Sequence, residues 1–522
     1  MSAEQEQTPQ LHADAESRYW VAIDLGSNSF HLLIVRPTQN SFAVLEQLKE
    51  KVQLLAGFQD QQLTAAAMQR GRQCLERFAQ RIHKLPRQQI SVMGTCALRL
   101  AQNAQDFCAD AEDILGVPVE IIPGPREAAL IYRAVAHQLP SEPEPRLVLD
   151  IGGGSTEMGF GQGPDARIEL SLDLGCVQIT DQHFAGERES TSAYGAAKRQ
   201  ALAVVRERLR TDPQLEEVAQ TGRALRVFGT SGTIESIQMV LAFNGWPQDV
   251  ITREGLEYLE EELTRNLWTV EGLPGLAPER VDIFPAGVAI LSAVFEVLNL
   301  RRLQHVDVSL LHGMVCEALD TDERIDLRDA SVADLAAQFG ADVPHTQRVT
   351  RRVESLLAQV PDGWLAGGDK EFDERQVQDA KSLLRWASML HTAGVRVNPR
   401  HYHRHGSYII KHSRLQGFSR LQRDILALLV RGHRRSIPLL AFRAYNDALA
   451  TSLIRLCSLL RLGVILERGH TADDSDIAIE VGSEAIHLRA PDGWLVQHPL
   501  SARELAVEVQ QLEQAGIALT FE

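Results

Sequence analysis

Hydrophobic positions in the first part of the chain alternate between strand-like runs and helical patterns. Residues 19–122 contain the strand-like runs "VAIDL", "HLLIV", "FAVLEQL", "ISVMGT" and "VPVEIIP". In "TAAAMQRGRQCLERFAQRI" the apolar residues recur every three or four positions, as they do on one face of a helix. A further helix is predicted for "GPREAALIYRAV". This alternation predicts an α/β sheet that is covered by helices.

A second α/β pattern occupies residues 146–319, after the proline-rich stretch "PSEPEP", which predicts a surface connection. The pattern contains "LRVFGTSGTIES" and ends in a long apolar helix, "PAGVAILSAVFEVLNL". Beyond residue 320 the strand patterns fade, and amphipathic helices such as "ATSLIRLCSLLRLGVIL" dominate. The tail "SDIAIEVGSEAIHLRAPDGW" predicts a hairpin, followed by a helix over 502–514 and the strand "IALTF".

Composition is that of a soluble globular protein with several domains. The chain has 522 residues, of which 44% are hydrophobic and 23% are charged. These values exclude fibrous and disordered classes. The first 17 residues lack the apolar core of a secretory signal, and we expect no integral membrane segment. Six cysteines without a C-x-x-C pair argue against a disulfide framework and a zinc knot, so we expect a cytoplasmic protein.

Charge is distributed unevenly. The net charge of −16 argues against a protein that coats nucleic acid, so no nucleic-acid partner is expected. Residues 400–435 nevertheless hold nine Lys or Arg and a single acid, which gives +8 (9 − 1). This basic tract predicts a binding site for a polyanion, although a solvated, positively charged helix face remains the alternative. The candidate residues are Arg404, Lys411, Arg414, Arg431, Arg434 and Arg435.

Two turns share one layout. Asp24 in "DLGSNSF" and Asp150 in "LVLDIGGGSTEMGFG" each follow an apolar strand and begin the pattern Asp-x-Gly-x-x-Ser. Glycines let backbone N–H groups approach an anion closely, and such groups bind phosphate oxygens. The expected phosphate-binding residues are Gly26, Ser27, Asn28, Ser29, Gly152, Gly153, Gly154 and Ser155.

The acids of these turns would repel a bare phosphate, but carboxylates and phosphate oxygens readily share Mg²⁺. We therefore predict a site for Mg²⁺, or another divalent cation, with Asp24, Asp150 and Glu157 as ligands. The alternative for either turn alone is an ordinary hairpin capped by its Asp. A pair of such turns, 126 residues apart (150 − 24), predicts two homologous halves that face each other across a cleft.

The motifs resemble those of a known family. "VAIDLGSNSFHLLIV", "LVLDIGGGSTE" and "GTSGTIES" resemble the phosphate loops and the later glycine-rich turn of the actin-like ATPase superfamily. Within it, "GTCALRLAQNAQDF", "IIPGPREAALIY" and "LGCVQIT" resemble the exopolyphosphatase and guanosine pentaphosphatase (Ppx/GppA) family. The resemblance implies two actin-like (ribonuclease H-like) α/β domains with a cleft between them, a mainly helical HD-like domain and a small C-terminal α/β module. The expected bounds are a disordered tail at 1–18, actin-like domains at 19–135 and 136–319, the HD-like domain at 320–463 and the module at 464–522.

The same resemblance adds site residues. It implies further phosphate contacts at Gly229, Ser231 and Gly232, and it places Glu127 of "GPREAA" at the position of the catalytic base. Without it, Glu127 would be read as a glutamate that interacts with a helix dipole. Arg99 matches a basic position near the transferred phosphate.

The chain also departs from the family pattern. Arg126 replaces an acid, Ala129 replaces an arginine, and "VSLLHG" at 308–313 stands for G-A-L-R-E-G. These changes leave the predicted core intact, but they put the surroundings of the site and the substrate preference in question.

The implied reaction is phosphoanhydride hydrolysis, in which Glu127 deprotonates the attacking water. We expect processive release of orthophosphate from inorganic polyphosphate that is threaded along the basic tract. A guanosine pentaphosphate 5′-phosphohydrolase, which binds guanosine penta- and tetraphosphate, and a sensor that has lost turnover remain alternatives. The resemblance also implies a homodimer.

A second metal centre is not expected. His401, His403 and His405 alternate and could share a strand face. The His-Asp pair of an HD domain, however, reads His391-Thr392 here.

Overall fold

We describe a computed structural model of the chain. It describes residues 19–38, 42–55, 58–59, 61–139, 144–184, 191–222, 225–247, 249–265, 273–319, 327–365, 374–413, 415, 417–418, 420–445, 447–469 and 475–522. The predicted tail at 1–18 and most of the proline-rich connection lie outside these residues. The chain divides into two compact units, Met1–Leu327 and Arg328–Glu522.

The first half of unit one is built on a five-stranded sheet. Its strands are β1 (Trp20–Leu25), β2 (Ser29–Pro37), β3 (Phe42–Lys51), β6 (Ile90–Gly94) and β7 (Glu120–Ile121), and β4 (Phe58–Gln59) pairs with β5 (Gln62–Leu63). Its helices are α1 (Ala65–Ile82), α2 (Cys96–Leu100), α3 (Ala104–Leu115) and α4 (Gly124–Gln138), with a 3-10 turn at Arg87–Gln89. The strand order is β3-β2-β1-β6-β7. Because β1 and β6 are parallel, the loops that follow them lie at one edge of the sheet.

The second half of unit one repeats this plan. Its strands are β8 (Arg146–Ile151), β9 (Thr156–Gly161), β10 (Ala166–Leu172), β11 (Arg226–Gly229), β12 (Ile251–Thr252) and β13 (Arg302–His305). Its helices are α5 (Cys176–His183), α6 (Thr191–Thr211), α7 (Pro213–Thr221), α8 (Ser231–Phe243), α9 (Arg253–Arg265), α10 (Phe284–Val297) and α11 (Leu310–Ala318), with a 3-10 turn at Pro278–Arg280. The order β10-β9-β8-β11-β13 repeats that of the first sheet, and β12 is added at the edge. The two predicted actin-like halves are therefore confirmed.

Helix periodicity correctly predicted which faces are buried. On α1, Leu75, Phe78 and Ile82 are buried in the core of the first half, and Met68 packs against it. Helix α10, which the sequence shows as an almost continuous apolar run, is buried nearly all round in the second half. The cores of both halves thus form beneath the edges that carry the loops.

Helices α4 and α11 approach each other closely. A Cβ atom at Gly313 of α11 would lie 2.0 Å from the carbonyl oxygen of Leu130 in α4, so the two backbones touch. Arg126 of α4 forms an ion pair with Glu317 of α11. The arginine that replaces a family acid therefore fastens these two helices together.

Unit two is mainly helical and ends in a small sheet. Its helices are α12 (Leu327–Gln338), α13 (Val343–Ala358), α14 (Asp362–Leu365), α15 (Glu374–Leu390), α16 (Tyr402–His412), α17 (Arg420–Gly432), α18 (Leu439–Phe442), α19 (Asp447–Leu466), α20 (Trp494–Gln497) and α21 (Pro499–Gln514). The strands β14 (Ala478–Val481), β15 (Ala485–Arg489) and β16 (Ala518–Phe521) form a sheet in that order. The predicted hairpin, helix and final strand are confirmed.

Helix α19 is the core helix of unit two. Among the described residues, the window Leu449–Leu466 alone is long and apolar enough for a membrane span, and 78% of it is buried inside the protein.

Buried histidines run through unit two. The ring centroids of His345 and His391 are 5.5 Å apart, those of His391 and His433 are 5.4 Å apart, and His403 follows at 6.4 Å from His433. All four side chains are buried. The suggestion of a shared strand face for His401, His403 and His405 was wrong, because these residues lie at the start of helix α16.

Candidate functional site

The loop after β1 is anchored by its own polar groups. The Ser27 hydroxyl accepts a hydrogen bond of 3.1 Å from the Ala97 N–H at the start of α2. The Asn28 carbonyl accepts bonds of 3.0 Å and 2.8 Å from the N–H groups of Val52 and Gln53. These contacts hold the loop backbone in one conformation, which pre-organises it for a ligand.

The loop after β8 is held in a corresponding way. The Gly152 N–H donates to the Ser155 carbonyl at 2.9 Å, which closes the turn. The carbonyls of Gly152 and Gly153 accept bonds of 3.0 Å and 2.9 Å from Cys176 and Val177 at the start of α5. Each half thus places a closed turn between its central strand and a helix N-terminus.

The two loops face each other at contact distance. A Cβ atom at Gly153 would lie 3.4 Å from the Cβ of Asn28, and one at Gly154 would lie 2.7 Å from the sulfur of Cys96. A side chain at Gly154 would therefore collide with the opposite half. The predicted cleft between the halves exists, and glycine is needed where its walls meet.

A cavity of about 140 Å³ lies between the loops. Ten of the eleven predicted phosphate-binding residues line it, namely Gly26, Ser27, Asn28, Ser29, Gly152, Gly153, Gly154, Ser155, Ser231 and Gly232. Gly229 does not line it, because this residue ends β11 and packs under Leu303 and Ile234. The cavity is also lined by Asp24, Asp150 and Glu127, so the structure gathers loops and acids at one place.

Burial raises the pKa of every acid at this site. The pKa of Asp24 lies well above its ordinary value because of burial, and the charges of Glu127 and Asp150 raise it further. The pKa of Asp150 rises to about 6 through burial, although the hydroxyl of Thr230, which donates to this carboxylate, lowers it. Carboxylates crowded in this way repel each other and favour a bound cation.

Glu157 lies just behind the cavity wall. It is opposite Asp150 in the pairing of β8 with β9, and it is 2% exposed. Its carboxylate accepts a 2.8 Å bond from the Ser171 hydroxyl, and its pKa is raised well above the ordinary value by burial and then by Glu127 and Asp150.

A divalent cation fits this group of acids. One carboxylate oxygen of Asp24, Oδ1, is buried without a hydrogen-bond partner. Within the described ranges, no three His, Cys, Asp or Glu side chains are arranged to hold an ion by themselves. Mg²⁺ commonly takes one or two carboxylates and completes its shell with water and substrate phosphates. Asp24 and Asp150 are therefore the residues that would hold it, with Glu157 behind them.

The two predicted catalytic residues form an ion pair. Arg99 Nη1 lies 2.8 Å from Glu127 Oε2 and 2.9 Å from the carbonyl of Ile122. Burial raises the pKa of Glu127, while the charge and hydrogen bond of Arg99 lower it. Arg99 does not line the cavity itself, so in this structure it contacts the carboxylate that is the candidate base.

Three basic residues at the cavity, His31, Lys49 and Arg280, were missed in the sequence. His31 and Lys49 face Asp24 across neighbouring strands, because Asp24 pairs with His31 in the β1–β2 register and His31 pairs with Lys49 in the β2–β3 register. Arg280 lies over Gly232, and a Cβ atom placed on this glycine would be 1.9 Å from the guanidinium. All three line the cavity.

The charges of these residues affect one another. Burial lowers the pKa of Lys49, and Arg280 lowers it further. Burial, Lys49 and Arg280 together lower the pKa of His31 to about 3, so this imidazole is neutral. Two closely placed cations beside an acidic wall are suited to a substrate that carries negative charge.

The basic tract is only partly gathered in space. Arg404, Arg431, Arg434 and Arg435 line one cavity of about 610 Å³ in unit two. Lys411 lies 3.4 Å from Asp424 and does not line this cavity. Arg414 lies outside the described residues. The predicted channel stays a prediction.

Comparisons with known proteins agree with this architecture. The sequence model of the Ppx/GppA phosphatase family matches residues 33–322, and that of Ppx/GppA phosphatase, domain III, matches residues 327–509. A crystal structure of an exopolyphosphatase from Cytophaga hutchinsonii is similar, with 22% identity over 59% of this chain and 99% of that chain and a TM-score of 0.50.

Two further solved structures match over a similar share of the chain. An exopolyphosphatase-like protein has 22% identity over 57% of this chain and 97% of that chain, with a TM-score of 0.50. The Aquifex aeolicus member of the Ppx/GppA family has 22% identity over 58% of this chain and 97% of that chain, with a TM-score of 0.47.

Proposed function

Because this chain belongs to the Ppx/GppA phosphatase family, whose members are hydrolases, we propose that it is an exopolyphosphatase. It would remove terminal orthophosphate from inorganic polyphosphate in the cavity of unit one. From the resemblance we also expect a cytoplasmic homodimer, and sedimentation of the purified protein tests the dimer.

The observation that carries the proposal is the small cavity between duplicated phosphate loops and buried acids. Its walls bring Asp24, Asp150 and Glu127 together with both phosphate loops. A phosphate group bound there would contact the loops, a cation and the candidate base at once. This arrangement supports hydrolysis of a phosphoanhydride that is held between the two loops.

The residues that line the cavity suffice to bind and orient the terminal phosphate group. Backbone N–H groups of the loops at 26–29 and 152–155 surround the phosphoryl oxygens, and Arg280 and Lys49 neutralise their charge. A divalent cation held by Asp24 and Asp150 would further neutralise the phosphate oxygens.

Glu127 supplies the base. Its carboxylate takes one proton from water while a P–O bond forms to that water and the bridging P–O bond breaks, which releases orthophosphate. The Arg99 guanidinium, at 2.8 Å, favours the ionised form that can accept this proton. A glutamate that interacted only with the helix dipole would not require this buried arginine partner.

Phosphate release from purified protein with Mg²⁺ tests the proposal. Long-chain polyphosphate and guanosine pentaphosphate are compared at equal phosphate concentration, for wild type, Glu127→Gln and Glu120→Gln. Glu120 is an exposed glutamate in β7, the strand that precedes helix α4, and it serves as the matched control. We expect release from polyphosphate that falls by a factor of at least about 100 in Glu127→Gln and is unchanged in Glu120→Gln.

Other outcomes would reassign the protein. Release from guanosine pentaphosphate alone would make it a pentaphosphate 5′-phosphohydrolase. Binding without release from either substrate would make it a sensor.

A further inference from the structure

Unit two contains a cavity of about 610 Å³, the arginine pocket. It lies between helices α16, α17, α19 and α21. Its lining residues are His403, Arg404, Arg431, His433, Arg434, Arg435, Ser436, Arg461, Val464, Ile465, Arg468, Glu504, Val507, Glu508 and Gln511. All of them belong to unit two, so the pocket shares no residue with the cavity described above.

The pocket carries uncompensated positive charge. Glu508 pairs with Arg461 and Glu504 pairs with Arg468, so its two acids are already neutralised. In the part of the chain that the structure describes, Arg404, Arg431, Arg434 and Arg435 form no ion pair with a carboxylate; Arg434 lies over the ring of Tyr402. Burial and the charge of Arg404 both lower the pKa of Arg431. Four such guanidinium groups favour a ligand with several negative charges.

The loop that presents these arginines is pre-organised. Arg461, which is 3% exposed, donates to the carbonyls of Gly432 and Arg435, the latter at 2.8 Å, while Glu508 neutralises its charge. Arg435 has φ +62°, in the left-handed region that a residue with a side chain adopts at a cost. The buried ion pair holds this loop in place before any ligand arrives.

Two further polar atoms of the lining residues require a different chemistry. His433 Nδ1 lies 2.6 Å from the Val430 carbonyl, so this nitrogen carries the proton and Nε2 is an acceptor. That Nε2 and the Oε1 of Gln511 are buried without a hydrogen-bond partner. A fully ionised phosphate chain has no proton to donate to them. The ligand part that reaches them needs O–H or N–H groups.

Part of the pocket wall is apolar. Val464, Ile465 and Val507 line the pocket and offer apolar contacts to a nucleoside. We propose that the arginine pocket binds a nucleoside polyphosphate, with its phosphates on Arg404, Arg431, Arg434 and Arg435 and its nucleoside against this wall, donating to His433 and Gln511. The pocket is then a second ligand site of the protein, and its argument does not depend on hydrolysis in unit one.

Calorimetric titration of the full chain tests this proposal. The probes are β,γ-methylene guanosine triphosphate, β,γ-methylene adenosine triphosphate and inorganic tripolyphosphate, and Glu127→Gln is present throughout to prevent hydrolysis. In this background we compare Arg404→Gln/Arg431→Gln with Arg443→Gln/Arg503→Gln, which removes the same charge from exposed arginines of unit two outside the pocket. Because each charged hydrogen bond to phosphate contributes strongly, we expect nucleotide binding about 100-fold weaker in the first pair and unchanged in the second.

A further variant separates nucleoside from phosphate recognition. Gln511→Leu removes one buried acceptor, so it should weaken nucleotide binding by about tenfold and leave tripolyphosphate binding unchanged. The proposal is overturned if both arginine pairs bind nucleotide equally, or if tripolyphosphate binds the pocket as tightly as the nucleotides do. The latter result would return the arginines to the predicted polyphosphate channel. Phosphate release is measured separately, in the Glu127→Gln variant and in wild type. Failure of one proposal therefore does not imply failure of the other.

Discussion

Gly313→Ala should impair catalysis from a position outside the cavity. The new Cβ atom would lie 2.0 Å from the Leu130 carbonyl oxygen, whereas ordinary contact begins near 3.4 Å. Helices α4 and α11 must therefore separate by about 1.4 Å (3.4 − 2.0), and part of this shift falls on α4, since neither atom can rotate aside. Glu127 is three residues before Leu130 on α4, so the candidate base moves with the helix.

The expected losses follow from that displacement. Misplacing a catalytic group by about 1 Å costs on the order of 100-fold in rate, and overpacking costs about 1–3 kcal/mol of stability. We would measure kcat for phosphate release and urea unfolding for Gly313→Ala and Gly195→Ala. Gly195 lies inside helix α6, and only the flexible end of Arg199 is near its Cβ position, so this control should keep its rate. A folded Gly313→Ala protein with the kcat of Gly195→Ala would refute the coupling between α11 and Glu127.

Three further predictions concern buried charges. Thr230→Val removes the hydroxyl that lowers the pKa of Asp150, so the acid limb of the pH–rate profile should move to higher pH, with a rate loss of about tenfold at pH 6 and a smaller one at pH 8. In metal-free protein, the pKa of Asp150 is about 6 in the folded state against 3.8 as the ordinary value, so its ionisation lowers stability as pH rises through 6. Asp150→Asn removes this charge and should stabilise unit one by about 3 kcal/mol at pH 8 but have almost no effect at pH 3.5. Equal melting curves of the variant and wild type at pH 8 would contradict this. Glu508→Gln leaves Arg461 buried without its partner charge and should cost unit two about 3–5 kcal/mol in chemical denaturation, whereas the exposed Glu513→Gln on the same helix should cost less than about 0.5 kcal/mol.

The duplicated loops were predictable because their signal is local. An apolar strand followed by Asp-x-Gly-x-x-Ser and a second strand specifies a hairpin whose turn presents backbone N–H groups. The same pattern at Asp24 and Asp150 then implies two halves, and the repeated strand order confirms them. Strand and helix periodicity also located the helical unit and the C-terminal hairpin.

The cationic side of the cavity could not be predicted in the same way. Lys49 lies in an alternating charged stretch of β3 that looks like a solvated edge strand, and its position opposite His31 depends on the β2–β3 register, which shifts at Val35. Arg280 reaches the cavity from a 3-10 turn that is almost fifty residues beyond the glycine it covers. Contacts of this kind depend on tertiary packing and leave no periodic pattern in the sequence.

The histidines at 401–405 show a local pattern overruled by a longer one. Their alternation has the period of a strand, but Tyr402, Gly406 and Ile410 recur every four residues and are all buried. A helix buries that set on one face, and a strand cannot. The four-residue spacing of these buried residues therefore correctly indicates helix α16.

The buried histidines of unit two limit its stability at acidic pH. Burial holds the pKa of His433 well below its ordinary value, and burial with Arg431 lowers that of His403 to about 4. Both take up protons more readily when unfolded, so unit two loses stability as pH falls from about 6.5 towards 4. The acids of unit one have the opposite dependence. Without a cation, a rise in pH therefore lowers the contribution of these acids to the stability of unit one and raises that of the histidines in unit two. A cation bound by Asp24 and Asp150 would favour their ionised forms and so reduce the loss in unit one.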